Sequence, residues 1–122
     1  MISKFRPETE FYTDERCCIV EIHNREEDED CSIVRARVAP RVTTQFHSLQ
    51  RTDERYVILE GEGLVQVGDA VPAQVRPLDV VAIAAGTPQR ITNVGTADLV
   101  FLCVCTPSFR KETYLNLESE GS

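Results

Sequence analysis

The chain has no long hydrophobic run, only two histidines, and no Cys-x-x-Cys pair among its five cysteines. Each absence excludes a class of protein. No segment approaches the roughly 18 consecutive apolar residues that cross a bilayer as a helix, so no membrane partner is expected. The opening Met1-Ile2-Ser3-Lys4-Phe5-Arg6-Pro7-Glu8 lacks the uninterrupted apolar stretch of a secretory signal, which points to a cytoplasmic protein. Cys17, Cys18, Cys31, Cys103 and Cys105 are odd in number and lack zinc-finger spacing, and they read as reduced thiols serving mostly as small apolar wall residues. There is no GxSxG elbow, HExxH helix or dinucleotide fingerprint. Basic residues are few: 13 Lys and Arg against 20 Asp and Glu leave a net charge of -7, which opposes approach to nucleic acid or to anionic lipid.

What is present is β-structure. A chain of 122 residues suits one domain and needs neither disulfide nor structural metal to bury a core. Short β-rich runs recur at 17–22, 32–38, 43–47, 55–59, 64–67, 73–76, 80–84, 89–92 and 99–105. Turn signals separate them at Ala39-Pro40, Gly68-Asp69, Arg76-Pro77-Leu78-Asp79, Ala85-Gly86-Thr87-Pro88 and Asn93-Val94-Gly95-Thr96. No segment shows sustained helical periodicity, so the pattern predicts an all-β, single-domain antiparallel β-barrel of the jelly-roll kind. Along 32–38, alternation places Val34, Ala36 and Val38 on one face and Ile33, Arg35 and Arg37 on a solvated one. The acidic run 25–30 lacks the glycine and ligand spacing of a calcium loop and reads as a solvated hairpin tip. Glu60-Gly61-Glu62-Gly63 reads as a hairpin turn, because its carboxylates would repel a phosphate. The tail 107–117 is expected to cover a barrel mouth or pack on a second subunit, with the polar end at 118–122 frayed.

Two segments carry the candidate chemistry. In the first, Arg41, His47, Leu49, Glu54 and Gly61 stand at regular intervals; in the second, Leu78, Ala84, Gly86, Gln89 and Asn93 do. The spacing resembles the two signature motifs of the cupins, over about residues 32–106. The first motif runs glycine, histidine, histidine, glutamate, glycine: His47, Glu54 and Gly61 match, while Arg41 replaces the first glycine and Leu49 the second histidine. The second runs glycine, proline, glycine, histidine, asparagine: Gly86 and Asn93 match, while Leu78, Ala84 and Gln89 replace the others.

The resemblance implies a barrel-interior site for a small molecule and a homodimer pairing through edge strands and termini. It also implies a divalent ion (Mn, Fe, Ni, Cu or Zn) with His47, Glu54 and the Gln89 carbonyl as the surviving ligands. Without metal, His47 and Glu54 would act as general acid and base, or form an internal hydrogen-bonded network with no turnover, with Arg55 or Arg90 as candidates to complete it. The alternative function is a non-catalytic binding or sensing barrel, which Leu49 favours. Gln89 and Tyr56 are candidate substrate-binding groups, joined by Thr43 and Gln45, which a regular strand would turn to the same face as His47. For Thr43 and Gln45 a solvated sheet face is an equal reading. Cys103 and Cys105 share a face with Phe101 and are expected to pack as neutral thiols. His23 is expected at a surface edge.

Overall fold

The computed structural model describes residues 1–118. Eleven strands run in chain order: β1 (Phe11–Tyr12), β2 (Cys18–His23), β3 (Ser32–Val38), β4 (His47–Leu49), β5 (Asp53–Glu60), β6 (Gly63–Val67), β7 (Ala73–Val75), β8 (Val80–Ile83), β9 (Gln89–Asn93), β10 (Leu99–Thr106) and β11 (Tyr114–Asn116). They form a six-stranded sheet in the order β1-β2-β3-β10-β5-β8 and a five-stranded sheet in the order β11-β4-β9-β6-β7. Every pairing is antiparallel. This is the expected jelly-roll barrel. Among the described residues no helix is long and apolar enough to cross a membrane.

Side-chain alternation decides what faces inward. In β5, Glu54, Tyr56 and Ile58 are buried, and in β9 Gln89, Ile91 and Asn93 are. Because β5 and β9 lie in different sheets, these residues meet across the interior. The strands are packed unevenly along their length. Val38, Ile58, Ile91 and Leu99 are fully buried and form the apolar end. Asn93 ties that end together by donating through Nδ2 to the carbonyls of Val38 and Ala97, each at 2.9 Å. The opposite end, where Cys105 lies between Ser32 and Glu54, carries the polar interior.

Several expectations change. The segment 60–63 is not a hairpin turn: β5 and β6 belong to different sheets, so it is a corner carrying the chain from one to the other. The arginine face of β3 is not left to solvent. Glu10 accepts hydrogen bonds from Arg35 Nη2 at 2.9 Å and Arg37 Nε at 3.1 Å, and the Phe5 ring lies 4.7 Å from the Arg35 guanidinium. The N-terminal segment thus covers that face. The tail pairs within its own chain, β11 on β4, and Glu118 is held by Arg16 rather than frayed. Residues 119–122, also expected to fray, lie outside the described residues.

The four positions where the motifs call for glycine all have left-handed backbone: Arg41 (φ 71), Gly61 (φ 84), Leu78 (φ 75) and Gly86 (φ 81). The turn geometry persists where the glycine has gone. A side chain in this region costs ~1–2 kcal/mol, which the surrounding turn sustains: Leu78 N–H donates to the Ile58 carbonyl at 2.7 Å. Leu78 is 80% exposed, so its side chain returns little packing. Leu78→Gly should therefore raise the unfolding free energy by about 0.5–1 kcal/mol, the relieved strain less the added freedom of the unfolded chain. Gly61→Ala should lower it by ~2 kcal/mol or more, from left-handed strain plus overpacking, because a Cβ there would meet the Asp98 carbonyl oxygen at 2.7 Å. Urea denaturation measures both, and unchanged midpoints would refute the assignment of these turns.

Candidate functional site

A cavity of about 90 Å³ opens between the sheets at the polar end of the barrel. Its floor comes from strand ends. β3 contributes Val34 and Ala36, β5 Glu54 and Tyr56, β10 Phe101, Cys103 and Cys105, and β4 His47 and Leu49. Glu15, Cys17 and Thr44 join from loops.

One hydrogen-bonded chain crosses the interior from sheet to sheet. The Tyr56 hydroxyl donates to Gln89 Oε1, which leaves the amide to donate, and Gln89 Nε2 gives its hydrogen to Glu54 Oε1 at 2.7 Å. The other oxygen, Oε2, has the Cys105 thiol at 3.7 Å. No cation lies among these partners. Burial pushes the Glu54 carboxyl above its ordinary range, and the hydrogen bonds from Gln89, Cys105 and Cys103 only partly oppose it. Oε1 accepts from Gln89, which leaves Oε2 as the oxygen facing the Cys105 thiol. Burial likewise raises the Tyr56 phenol and the Cys103 thiol, with the neighbouring Glu54 adding to both shifts. Burial thus works against ionisation throughout this network.

His47 is 4% exposed, at the start of β4. Its Nδ1 lies 2.7 Å from the Gln45 carbonyl, which can only accept, so Nδ1 carries a hydrogen and Nε2 is the nitrogen left for a ligand. Among the described residues Nε2 has no hydrogen-bond partner. The ring is held flat against Tyr114 of β11, with centroids 4.8 Å apart and planes 16° apart. The Tyr114 hydroxyl donates to Gln45 Oε1 at 2.6 Å, so the same glutamine braces both rings. Glu15 stands nearby on the cavity wall, and its carboxyl is raised by burial first, with His47 pulling down and Glu54 pushing up.

His47, Glu54 and Tyr56 thus line one cavity, and Gln89 links the last two from behind. Thr43 and Gln45 do not join its lining. The segment before β4 is irregular apart from a bridge between Thr43 and Thr92, so the alternation expected over 43–47 fails. Thr44 faces the cavity instead; Thr43 Oγ1 lies 2.8 Å from Thr92 Oγ1, and Gln45 acts through His47 and Tyr114. Arg55 and Arg90 do not complete the interior network: Arg55 donates to Thr106 Oγ1 at 2.8 Å and Arg90 to Gln66 Oε1 at 2.9 Å. His23 is occupied elsewhere, with Ser3 Oγ at 2.6 Å and Asp28 Oδ2 at 2.8 Å. Glu15 and Tyr114 escaped the sequence reading because loop and tail positions have no periodicity that assigns them a face.

The donor set does not fit the divalent ion that the motif resemblance implies. Gln89 spends its carbonyl on Tyr56, Glu54 accepts at Oε1 and faces a thiol at Oε2, and Leu49 puts a hydrocarbon where a second imidazole would be needed. Among the described residues no three His, Cys, Asp or Glu are arranged to hold a metal.

Two antiparallel sheets closing on a polar interior at one end define a jelly-roll barrel protein. The chain belongs to the cupin family, whose domain matches residues 34–105. It is 33% identical over 81 residues to an uncharacterized protein of Methanocaldococcus jannaschii; the match spans 66% of this chain and 64% of the length of that curated relative. Among solved structures it resembles the nucleoside dehydratase Pac13 of Streptomyces, with a TM-score of 0.78 at 13% identity over 97% of this chain and 92% of that one. It also resembles a predicted oxalate decarboxylase from Thermotoga maritima, with a TM-score of 0.77 at 21% identity over 88% and 99%. These likenesses establish the barrel.

Two measurements probe the interior network. Tyr56→Phe leaves the buried Gln89 carbonyl without its donor and should cost about 1–3 kcal/mol of stability. A loss within error of zero would mean that the hydroxyl is dispensable. For Glu54 the folded-state pKa is raised, so its contribution is fully present below the unfolded carboxyl value and is lost as pH climbs through the folded one. Glu54→Gln, which imitates the protonated carboxyl, should be more stable than the parent at pH 8 and no more stable near pH 4, by denaturant titration. The opposite slope would show that Glu54 is ionised in the fold.

Proposed function

We propose that this cupin acts on a small molecule by proton transfer and without a bound metal. His47 is the base through Nε2, and Glu54 is the acid through Oε2. The observation that carries this reading is the pairing, on one cavity, of an imidazole whose Nδ1 is held by the Gln45 carbonyl, leaving Nε2 open, with a buried carboxyl whose pKa burial raises. A carboxyl that holds its proton more tightly than usual is suited to act as the acid, and an open imidazole nitrogen to act as the base. Gln89 holds Glu54 in place, and Tyr114 and Gln45 hold His47. The apolar wall of Val34, Ala36 and Phe101 gives the bound molecule its dry contact surface.

The reaction class that suits this arrangement is isomerisation or elimination. In an elimination, His47 Nε2 takes a proton from carbon, the electron pair forms the new double bond, and the departing oxygen leaves with the proton of Glu54. Pac13, a barrel of the same fold, is a nucleoside dehydratase, which supports reading such a barrel as a site for loss of water.

The test uses protein dialysed against chelator, with metal content read by elemental mass spectrometry and a metabolite library screened by thermal shift. Binding should survive the chelator, and a bound substrate should exchange a carbon-bound proton with D₂O. That exchange should fall by at least ~100-fold in His47→Gln. A chelator-resistant metal at one per chain, lost together with exchange in Glu54→Gln, would sink the proposal.

A further inference from the structure

We infer that the molecule bound in this cavity carries a protonated amine, which sits against Glu15, and bears no carboxylate or phosphate. The inference rests on the cavity being the working site. Three carboxyl groups line it, those of Glu15, Glu21 and Glu54, and no lysine or arginine does. The guanidinium groups nearest in sequence or space are committed elsewhere. Arg16, beside Glu15, donates to the Thr43 carbonyl at 2.8 Å and pairs with Glu118. Arg55 is turned to Thr106, and Arg90 lies over the Phe46 ring at 5.0 Å. Arg110 approaches the rim from outside, 3.4 Å from Asn24 Oδ1. An anionic ligand would therefore meet the carboxyls of Glu15 and Glu21 with only the His47 imidazole in its favour.

Glu15 has the opposite need. The hydrogen bond recorded to its carboxyl is from the Cys17 thiol at 3.9 Å, a weak donor for a group on the wall of a largely apolar cavity. An ammonium supplies both what that carboxyl lacks, a counter-charge, and three N–H donors. His47 Nε2, on a residue 4% exposed and without a partner of its own among the described residues, faces the same space and stays open to take a proton while the ammonium sits on Glu15. Phe101 and Phe109 line the cavity and suit a cation as well as a hydrocarbon body. Glu54 does not take the ammonium: Oε1 already accepts from Gln89, and Oε2, with only the weak Cys105 thiol at 3.7 Å, is the acid position of the proposed reaction.

The experiment compares three probes with one carbon skeleton at pH 7: isobutylamine, isobutanol and isobutyrate. Binding is followed by the backbone amide NMR shifts of cavity residues in the full chain and in Glu15→Gln. The amine should bind at least about tenfold more tightly than isobutanol, and that preference should shrink to about twofold or less in Glu15→Gln while isobutanol affinity is unchanged. Isobutyrate binding as well as the amine, or an amine preference that survives Glu15→Gln, overturns the inference. Tightest binding by isobutanol overturns the charge assignment and leaves the cavity as the working site. Failure of all three probes to move cavity resonances overturns both.

Discussion

The interior chain from Tyr56 through Gln89 to Glu54 is the constraint around which the polar end of this barrel is arranged. It joins β5 in one sheet to β9 in the other. A buried carboxylate without a cation is costly, and burial raises the Glu54 carboxyl accordingly. Its neighbours follow: burial and the adjacent Glu54 together raise the Cys103 and Cys105 thiols and the Tyr56 phenol. The cavity is thus a place where protons are held tightly by acids and where the imidazole is the natural acceptor.

The second half of the site depends in part on chain outside the matched family region. Within it, Gln45 holds His47 Nδ1; from outside, Tyr114 stacks on the His47 ring and Glu15 contributes from the loop before β2. Leu117 N–H donates to the Phe46 carbonyl at 2.9 Å, and Glu118 accepts from Phe46 N–H at 3.0 Å, so the tail fixes the residue next to His47 by its backbone. The barrel motif supplies two reactive groups, and the extensions decide how they are presented.

Much of this was legible in the sequence. Period-two alternation located most strands within a residue or two, because one face of each is buried and the other is not; β3 and β5 show it plainly. His47, Glu54 and Gln89 came from the resemblance to the two cupin motifs, and the structure places them together at the polar end. Reading by residue letter was less reliable than reading by backbone. Arg41 and Leu78 look like lost motif positions, yet they keep the left-handed turn that glycine would have made easy. Thr43 and Gln45 were misplaced because alternation holds only while a strand stays regular, and the chain between Thr43 and His47 does not. Tyr114 sits in a three-residue strand paired with β4, a long-range pairing that no local pattern announces.

The distribution of charge has a consequence for the conditions under which the protein works. Ion pairs lie on the outside, where Glu10 grips Arg35 and Arg37 and Glu118 grips Arg16, each with side chains partly open to water. The interior is bound by buried hydrogen bonds. Salt screens exposed charges over about 10 Å at 0.1 M and reaches buried contacts far less. Ionic strength therefore acts first on the two terminal covers, and it reaches the site through them: loosening the Arg16–Glu118 clasp frees the tail that holds Phe46 and Tyr114 beside His47 while leaving Glu54 and its partners as they are.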